Sequence, residues 1–281
     1  YCLFIVAPTN MVLNYLLVWN KTFGLGYIGA PISTAVSYWL MAMLLFLYAL
    51  FIKGRECWYG LHLKMAFDFK SWGPMVGLAL NGTAMLLSEF IAFEILTLSA
   101  ARFGTTALAS QSIASTMASL FFQIPFAVSV AVSTRMANYV GAEKLHAASV
   151  VNKVASLFAV ALGIIDCLIL CVGRKSIILL FTQDRKVVSM ASKVLIILGV
   201  NQLYDCPNVM FAGCLRGQGR QHIGSILNLV AYYLVAVPLG LALAFMVDLK
   251  LVGLWIGLGV GIFILATSEA MFVFSSLWEE I

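Results

Sequence analysis

The stretch Val154–Gly173, VASLFAVALGIIDCLILCVG, carries one charged side chain, Asp166, in an otherwise apolar run. A helix of about 17–25 mostly apolar residues is long enough to cross the hydrocarbon core of a bilayer. Seven further runs of this kind lie on either side of it, so the sequence predicts eight membrane-spanning helices. The predicted segments are 3–19, 27–52, 74–100, 106–134, 154–173, 187–214, 223–247 and 251–277.

The composition of the whole chain agrees with this interpretation. Of its 281 residues, 62% are hydrophobic and 10% are charged, and the mean hydropathy is +1.00. Soluble domains carry about 25% charged residues, which excludes a soluble enzyme, a nucleic-acid-binding protein and a disordered segment. The net charge of +5 is a modest excess that indicates no polyanionic partner. The chain is predicted to be an all-α polytopic membrane protein embedded in a lipid bilayer.

The 53–73 loop has a pattern of its own. Its apolar residues recur at spacings of three and four, which predicts a short helix lying in the headgroup region; an irregular loop with a few buried aromatic residues is the alternative. Lysine and arginine are nearly balanced between the two sides of the membrane, so the positive-inside rule decides little. We take the side with the longer loops and all three histidines, formed by 53–73, 135–153 and 215–222, as cytoplasmic. The apolar residues that form one side of the predicted helix in 53–73, called the apolar stripe, are Trp58, Leu61, Met65, Phe69 and Trp72.

Ionisable residues within the spans are the candidates for function, because a charge in hydrocarbon is costly. Glu89 lies near the middle of the third segment, and a carboxylate held out of water can bind and release a proton near neutral pH. Glu94 follows about 140° round the same helix, so one acid should line a cavity while the other meets a neighbouring helix. For each of them, a structural acid hydrogen-bonded between helices is the alternative.

Asp205 is the second candidate. Pro207 follows it and cannot donate to the helix ladder, which frees a backbone carbonyl near the carboxylate, and Tyr204 adds a polar and aromatic partner. Irregular backbone at membrane depth is tolerated where it borders protein or a watery cavity. We therefore expect a site beside a helix break, with a purely structural kink as the alternative.

Other chemistry has little support in the sequence. The remaining charges within spans are Asp166, Lys193 and Glu269, and they are expected to reach the interface or to form local ion pairs. The sequence contains no CxxC pair, HExxH motif or P-loop, and no histidine lies in a predicted span. We expect neither an enzyme nor a bound metal or cofactor.

Several motifs occur in the order of a known family. The chain contains Gln111-Ser112-Ile113, the run STRMANYVGA at 133–142 and the run GCLRGQGRQ at 213–221, followed by Tyr232-Tyr233 and Pro238. Together they resemble the signature of the MATE (multidrug and toxic compound extrusion) transporters, and the chain is most similar to the fungal branch that includes the ethionine-resistance transporters.

The resemblance implies a MATE-type bundle of twelve helices in two lobes, of which this chain holds helices 5–12. Residues 1–52 would end the N-terminal lobe, 53–73 would be a cytoplasmic linker, and 74–281 would form the six-helix C-terminal lobe. The chain opens with Tyr1 and has no signal peptide, so we expect a C-terminal fragment whose upstream helices are missing.

The resemblance also implies which residues bind protons and substrate. Acids in helices 7 and 10 of the family match Glu89, Glu94 and Asp205, whereas an acid that some relatives carry in helix 8 is replaced here by Thr116. A site that needs this third carboxylate is therefore in doubt. The candidate proton- and substrate-binding residues are Glu89, Asp205, Glu94, Tyr204 and Gln111.

The sequence thus predicts a secondary transporter that exchanges protons for organic, cationic or xenobiotic solutes across the plasma or vacuolar membrane. A sodium-coupled exporter, a flippase for lipid-linked substrates and a non-transporting membrane scaffold are the alternatives. The expected partners are the solute, protons or sodium, the bilayer and the missing helices of the same protein, which should be monomeric when full length.

Overall fold

The computed structural model describes residues 2–20, 24–53 and 69–275. These ranges are helical without a strand, and they contain eight segments long and apolar enough to cross a membrane, which confirms the predicted fold class. The chain divides into two compact units, Tyr1–Lys70 and Ser71–Ile281. The α-helices are α1 (Cys2–Asn14), α2 (Gly29–Tyr48), α3 (Phe69–Ala101), α4 (Thr105–Gly141), α5 (Leu145–Leu179), α6 (Arg185–Gly217), α7 (Gln221–Leu229), α8 (Val237–Phe245) and α9 (Lys250–Ser275).

Three π-helical segments interrupt or extend these helices. Tyr15–Trp19 continues α1, Ala49–Lys53 continues α2, and Val230–Ala236 joins α7 to α8 within a single span. A π-helical turn widens the backbone and is frequent at functional sites. The segment Val230–Ala236 therefore makes the middle of the seventh span a candidate position for a functional residue.

The first unit is a helix pair. The side chain of Asn10 on α1 donates through Nδ2 to Ser37 Oγ on α2 at 2.9 Å, and Ser37 donates in turn to the carbonyl of Ser33 at 2.8 Å. Small residues allow membrane helices to approach closely, and polar side chains then link them. Gly29 fits this pattern, because a methyl group at its position would overlap the carbonyl of Leu17.

The second unit is built around α6. This helix packs against α4, α5 and α9, and its inward side carries polar residues such as Asn201 and Gln202, which are 5% and 1% exposed. Large apolar side chains instead point outward, as Leu157 and Val172 do on α5. The interior also holds a large apolar cluster, and the combination of buried polar residues with large apolar side chains on the surface suits a bundle whose solvent is lipid.

Helices α8 and α9 pack through a row of glycines that we call the glycine seam, consisting of Gly240, Gly253, Gly257 and Gly261. A methyl group at Gly257 would overlap the backbone of Gly240, and one at Gly253 would lie 2.7 Å from the carbonyl carbon of Leu243. The two backbones are therefore in direct contact. Such close approach maximises dispersion contacts between helices in a lipid environment.

The predicted 135–153 loop is wrong in extent. Helix α4 continues to Gly141 and α5 starts at Leu145, so the connection is a tight turn. Glu143 adopts a positive φ of 56°, and the amide of Lys144 donates to the carbonyl of Tyr139 at 2.9 Å, which closes the end of α4 in a Schellman motif. Hydropathy did not predict the end of α4 or the start of α5, because a helix forms its own backbone hydrogen bonds and can therefore continue beyond the apolar segment into the polar interface.

The predicted interfacial helix within 53–73 lies largely outside the described residues, since 54–68 are not among them. The structure resumes with α3 at Phe69, five residues before the predicted start of the third span at 74. Phe69 and Trp72, the last two positions of the predicted apolar stripe, therefore belong to α3.

Candidate functional site

Helix α3 separates its two glutamates, as the helical angle between them requires. Glu89 is half-buried and Glu94 is exposed. The backbone beside Glu89 is held in place from another span, because Tyr233 donates through its hydroxyl to the carbonyl of Ser88 at 3.4 Å. The sequence predicted that one acid lines a cavity while the other meets a neighbouring helix, and the exposed position of Glu94 does not fit the second part of that prediction.

Asp205 on α6 is also half-buried and faces the same interior. Its carboxylate accepts a hydrogen bond from the side chain of Asn208, one turn along the helix, and it interacts electrostatically with Glu89. The two acids that the sequence singled out on separate helices are thus within electrostatic range of each other. Two negative charges in one interior region repel each other unless a proton or a cation lies between them.

The helix break expected at Pro207 is not seen. Helix α6 runs without interruption from Arg185 to Gly217, with Pro207 inside it. Because proline has no N–H, the carbonyl of Leu203 receives no bond from this position. The local effect of Pro207 is therefore a freed carbonyl two residues from Asp205, within a continuous helix.

Arg216, near the end of α6, supplies a positive charge to this region. It donates from Nη2 to Ser129 Oγ on α4 at 2.7 Å, and Ser129 Oγ donates to the carbonyl of Val209 at 2.7 Å. The guanidinium interacts electrostatically with Glu89 and with Glu269. Sequence reasoning placed Arg216 in a cytoplasmic loop and did not find this role.

Glu269 on α9 was also missed. It was expected to reach the interface or pair locally, but it is 0% exposed and neither carboxylate oxygen has a hydrogen-bond partner among the described residues. Asp166 was interpreted in the same way and is 3% exposed, so the expectation that these acids reach the interface is wrong for both. Lys193, by contrast, is exposed. Position along a span did not reveal which side of its helix each residue occupies.

Tyr232 lies in the π-helical segment Val230–Ala236 and is 1% exposed. Its hydroxyl has no hydrogen-bond partner among the described residues, and it interacts electrostatically with Glu89, Asp205 and Glu269. The π-helical segment thus holds a buried phenol within electrostatic range of three carboxylates. We call this group the carboxylate cluster, consisting of Glu89, Asp205, Arg216, Tyr232 and Glu269.

Gln111 lies in the same unit but has a different environment. It is 0% exposed, and its Oε1 accepts from Trp255 Nε1 at 2.8 Å. Its Nε2 donates to Thr97 Oγ1 at 3.3 Å and to Ser115 Oγ at 3.1 Å. Every polar atom of the side chain is therefore engaged, and Gln111 connects α3, α4 and α9.

Tyr204 lines a groove between α6 and α9. The cavity there has a volume of about 410 Å³, and Tyr204 packs edge-to-face on Phe263 with ring centroids 5.0 Å apart. The rest of its lining is mostly aliphatic, with Asn201 as a polar member. Tyr204, which directly precedes Asp205 in the sequence, therefore lies in a mostly apolar groove. Cys206, two residues further on, lies on a different side of α6.

A second acidic position lies between α5 and α6. Cys206 donates through its thiol to Asp166 Oδ2 at 3.6 Å, and the same thiol lies 3.8 Å from Gln202 Oε1. Asp166 interacts electrostatically with Asp205. This acid has a thiol for a neighbour, whereas Glu89 and Glu269 have an arginine.

Membrane-length helices with lipid-facing apolar side chains and a charged interior define a multi-pass integral membrane protein. Within this class, the MatE family model matches residues 83–242. Those residues include α4, α5 and α6, together with Glu89, Asp205, Arg216 and Tyr232. The chain belongs to the MatE family, which confirms the resemblance found in the sequence.

Individual relatives agree with this assignment. An uncharacterized transporter of Saccharomyces cerevisiae is 43% identical over 100% of this chain and 40% of its own length. Human multidrug and toxin extrusion protein 1 is 30% identical over 96% of this chain and 47% of its own length. The chain thus spans about half the length of the curated relatives it matches, or less. The crystal structure of the eukaryotic MATE transporter AtDTX14 matches with a TM-score of 0.91 and 28% identity, covering 99% of this chain and 62% of that one.

Proposed function

We propose that this protein is a proton-coupled antiporter that moves organic, positively charged solutes out of the cytoplasm. The observation that carries the proposal is the interaction between Glu89 on α3 and Asp205 on α6 inside the second unit. Two carboxylates on different helices, held away from bulk water, can be neutral when protonated and strongly attractive to a cation when ionised.

The proposed cycle depends on mutual exclusion. Protons arriving from the acidic side neutralise Glu89 and Asp205, and the neutral pair releases its organic cation. Loss of the protons on the cytoplasmic side restores the negative charges and with them the affinity for the next cation. Coupling of this kind needs only a difference in solute affinity between the two protonation states, combined with access that alternates between the two sides of the membrane.

The composition of the carboxylate cluster favours protons over sodium as the coupling ion. A sodium ion needs several oxygen ligands with a net negative charge, and Arg216 places a positive charge close to Glu89 and Glu269. That charge disfavours both a metal cation and a proton at these carboxylates, but a proton needs only one carboxylate oxygen, whereas sodium needs several ligands. The hydroxyl of Tyr232 can exchange hydrogen bonds with either protonation state.

The other candidate residues have supporting roles in this proposal. The ring of Tyr204, together with Phe263, offers aromatic faces to a flat organic cation, as in cation–π binding. Glu94 is exposed on α3 and would attract cations towards the site. Gln111 fixes the relative positions of α3, α4 and α9 through its three hydrogen bonds and is a positioning residue.

The names of the relatives support the same direction of transport, since the human relative is called a multidrug and toxin extrusion protein. We place the protein in the plasma membrane or the vacuolar membrane, where a proton gradient can drive export, and propose that it works as a monomer. The whole protein, with helices beyond those of this chain, would be the functional unit.

The proposal is tested with the full-length product of the encoding gene in proteoliposomes. Ethidium is added outside, an acid-inside pH gradient is imposed, and the initial rate of uptake is measured. Glu89→Gln should lower the rate about 5–150-fold, the range expected when a coupling free energy of 1–3 kcal/mol is lost. Asp184→Asn is the matched control, because Asp184 caps α6 by accepting from the amide of Lys186 and asparagine caps equally well.

Two results would overturn the proposal. Uptake by Glu89→Gln at the wild-type rate would remove the carboxylate from the mechanism. Wild-type uptake driven by a sodium gradient and unaffected by the pH gradient would replace protons by sodium as the coupling ion.

A further inference from the structure

Glu269 has no explanation in the proposed exchange between Glu89 and Asp205. Its carboxylate is 0% exposed, and both of its oxygens lack a hydrogen-bond partner among the described residues. A buried carboxylate is costly unless it is paired or protonated. A side chain in this situation is either tolerated for packing or retained because it changes protonation state.

The position of Glu269 along its helix suggests which function it serves. It lies about 9 Å from the C-terminal end of α9, counting 1.5 Å per residue to Ser275. Glu89 lies about 21 Å from Met75, where the span formed by α3 begins. Because these two helix ends belong to the side taken as cytoplasmic, Glu269 is nearer to the cytoplasm than Glu89 is.

The groups that face Glu269 come from four elements. Arg216 and Cys214 approach from α6, Glu89 from α3 and Tyr232 from the π-helical segment. From α7 the neighbour is Gly224, where a methyl group would lie 3.8 Å from Glu269 Oε1. One cation, two further titratable groups and a second carboxylate therefore interact electrostatically with Glu269, and the side chain of Met85 packs against Gly224 beside it.

We propose that Glu269 is a proton-binding site between Glu89 and the cytoplasm, through which the coupling proton leaves. The inference rests on the proposed antiport function and adds a residue to its proton route. Protonated Glu89 gives its proton to ionised Glu269, directly or through a hydroxyl or water, which leaves Glu89 ionised and Glu269 neutral. Glu269 then releases the proton to the cytoplasmic side and is ionised again.

Arg216 connects the two steps. Its guanidinium interacts with both Glu89 and Glu269, so the negative charge can move from one carboxylate to the other without leaving the field of the same cation. When Glu89 is neutral, Arg216 stabilises the ionised form of Glu269, which is then ready to accept a proton. When the proton has moved, the same cation stabilises ionised Glu89, which is ready for the organic cation.

The test separates net proton transfer from movement of the solute. In proteoliposomes of the full-length protein, ethidium uptake driven by a pH gradient requires proton release. Exchange of external for internal ethidium at equal pH requires the same conformational cycle but no proton release. For Glu269→Gln, which keeps the shape of the side chain, we expect pH-driven uptake to fall about tenfold and ethidium exchange to stay at the wild-type rate. Asp184→Asn serves again as the control for removal of one acidic charge.

The outcomes are distinct. Equal loss of uptake and exchange in Glu269→Gln would show a structural role and overturn the inference, as would retention of both rates. If Glu269→Gln does not fold, Glu269→Asp keeps the titrating group: recovery of proton-driven uptake in this variant, with the pH of half-maximal rate displaced, supports the relay, and an unchanged pH profile contradicts it. Absence of pH-driven uptake in the wild type would refute the antiport proposal itself, which is a different result from any of these.

Discussion

The carboxylate cluster and the glycine seam are both buried parts of the second unit, and they are built in opposite ways. In the glycine seam the backbones of α8 and α9 touch, so that a methyl group at Gly257 has no room. In the carboxylate cluster several polar atoms have no hydrogen-bond partner within the part of the chain that the structure describes, among them both oxygens of Glu269 and the hydroxyl of Tyr232. One region permits a single arrangement, whereas the other retains unsatisfied groups that can change partners.

This difference indicates how a helical bundle in lipid can combine a firm frame with a variable interior. Close packing of small residues fixes the relative positions of two spans without any polar contact. Charged groups with fewer hydrogen bonds than they could form respond to the arrival of a proton or a cation, because each protonation state favours a different set of neighbours.

The largest effect is expected from removal of the cation in the carboxylate cluster. Arg216→Gln leaves Glu89 and Glu269 without their shared positive charge and should lower the free energy of unfolding by about 3–5 kcal/mol, the usual result of removing one partner from a buried charged group. Reversible unfolding of the purified protein in mixed micelles measures this. Arg135→Gln is the control, because Arg135 is exposed; an equal loss in both variants would contradict the assigned role of Arg216.

The glycine seam should be less sensitive than the charged group but still costly to alter. Gly257→Ala forces a methyl group against the backbone of Gly240 and should destabilise the protein by about 1–3 kcal/mol, as overpacking does. The same unfolding measurement applies. Gly77→Ala is the matched control, since no atom lies within 4 Å of its added methyl group, and there alanine should be neutral or stabilising. A larger loss of unfolding free energy in Gly77→Ala than in Gly257→Ala would contradict the close packing of Gly257 against Gly240.

A smaller effect is expected from loss of the buried hydrogen bond between Trp255 and Gln111. Trp255→Phe removes the donor that binds Gln111 Oε1 and should cost about 1 kcal/mol, with some further loss from leaving the buried acceptor unpaired. Thermal unfolding in detergent compares it with Trp39→Phe, a change at a side chain that is 80% exposed. Identical melting temperatures for the two variants would show that the hydrogen bond to Gln111 does not contribute to stability.

The smallest effect is expected at Asp166. Asparagine keeps its shape and can still accept the hydrogen bond from the Cys206 thiol, and no arginine of the described ranges is found to interact with Asp166. Asp166→Asn should therefore change the rate of pH-driven ethidium uptake by no more than about twofold, or about 0.5 kcal/mol. A loss as large as that of Glu89→Gln would extend the proton site to α5.

Much of this architecture could be predicted from the sequence. Runs of apolar residues gave the eight spans because lipid imposes the same requirement on every segment. The different surroundings of Glu89 and Glu94 follow from their helical angle, although Glu94 was not expected to be exposed. The motifs containing Gln111 and Arg216 identified the family, although they did not indicate that Gln111 would be fully hydrogen-bonded.

Other features depend on packing between helices, which local sequence patterns do not predict. Glu269 and Asp166 were expected to reach the interface or to form local ion pairs. Both are buried, because long-range contacts between helices determine which side of a helix meets its neighbours. The π-helical segment around Tyr232 and the continuous helix through Pro207 likewise depend on neighbouring spans. A search for acids facing an inward-pointing arginine, such as Arg216 at the end of α6, could have found Glu269.

In the proposed mechanism, protons and the organic cation exclude one another at Glu89 and Asp205. The most direct test adds ethidium to weakly buffered full-length protein in detergent and measures the protons released as the cation binds. We predict release of protons by the wild type at neutral pH and none by the double variant Glu89→Gln, Asp205→Asn. Saturating ethidium binding to the wild type without any proton release would contradict the account.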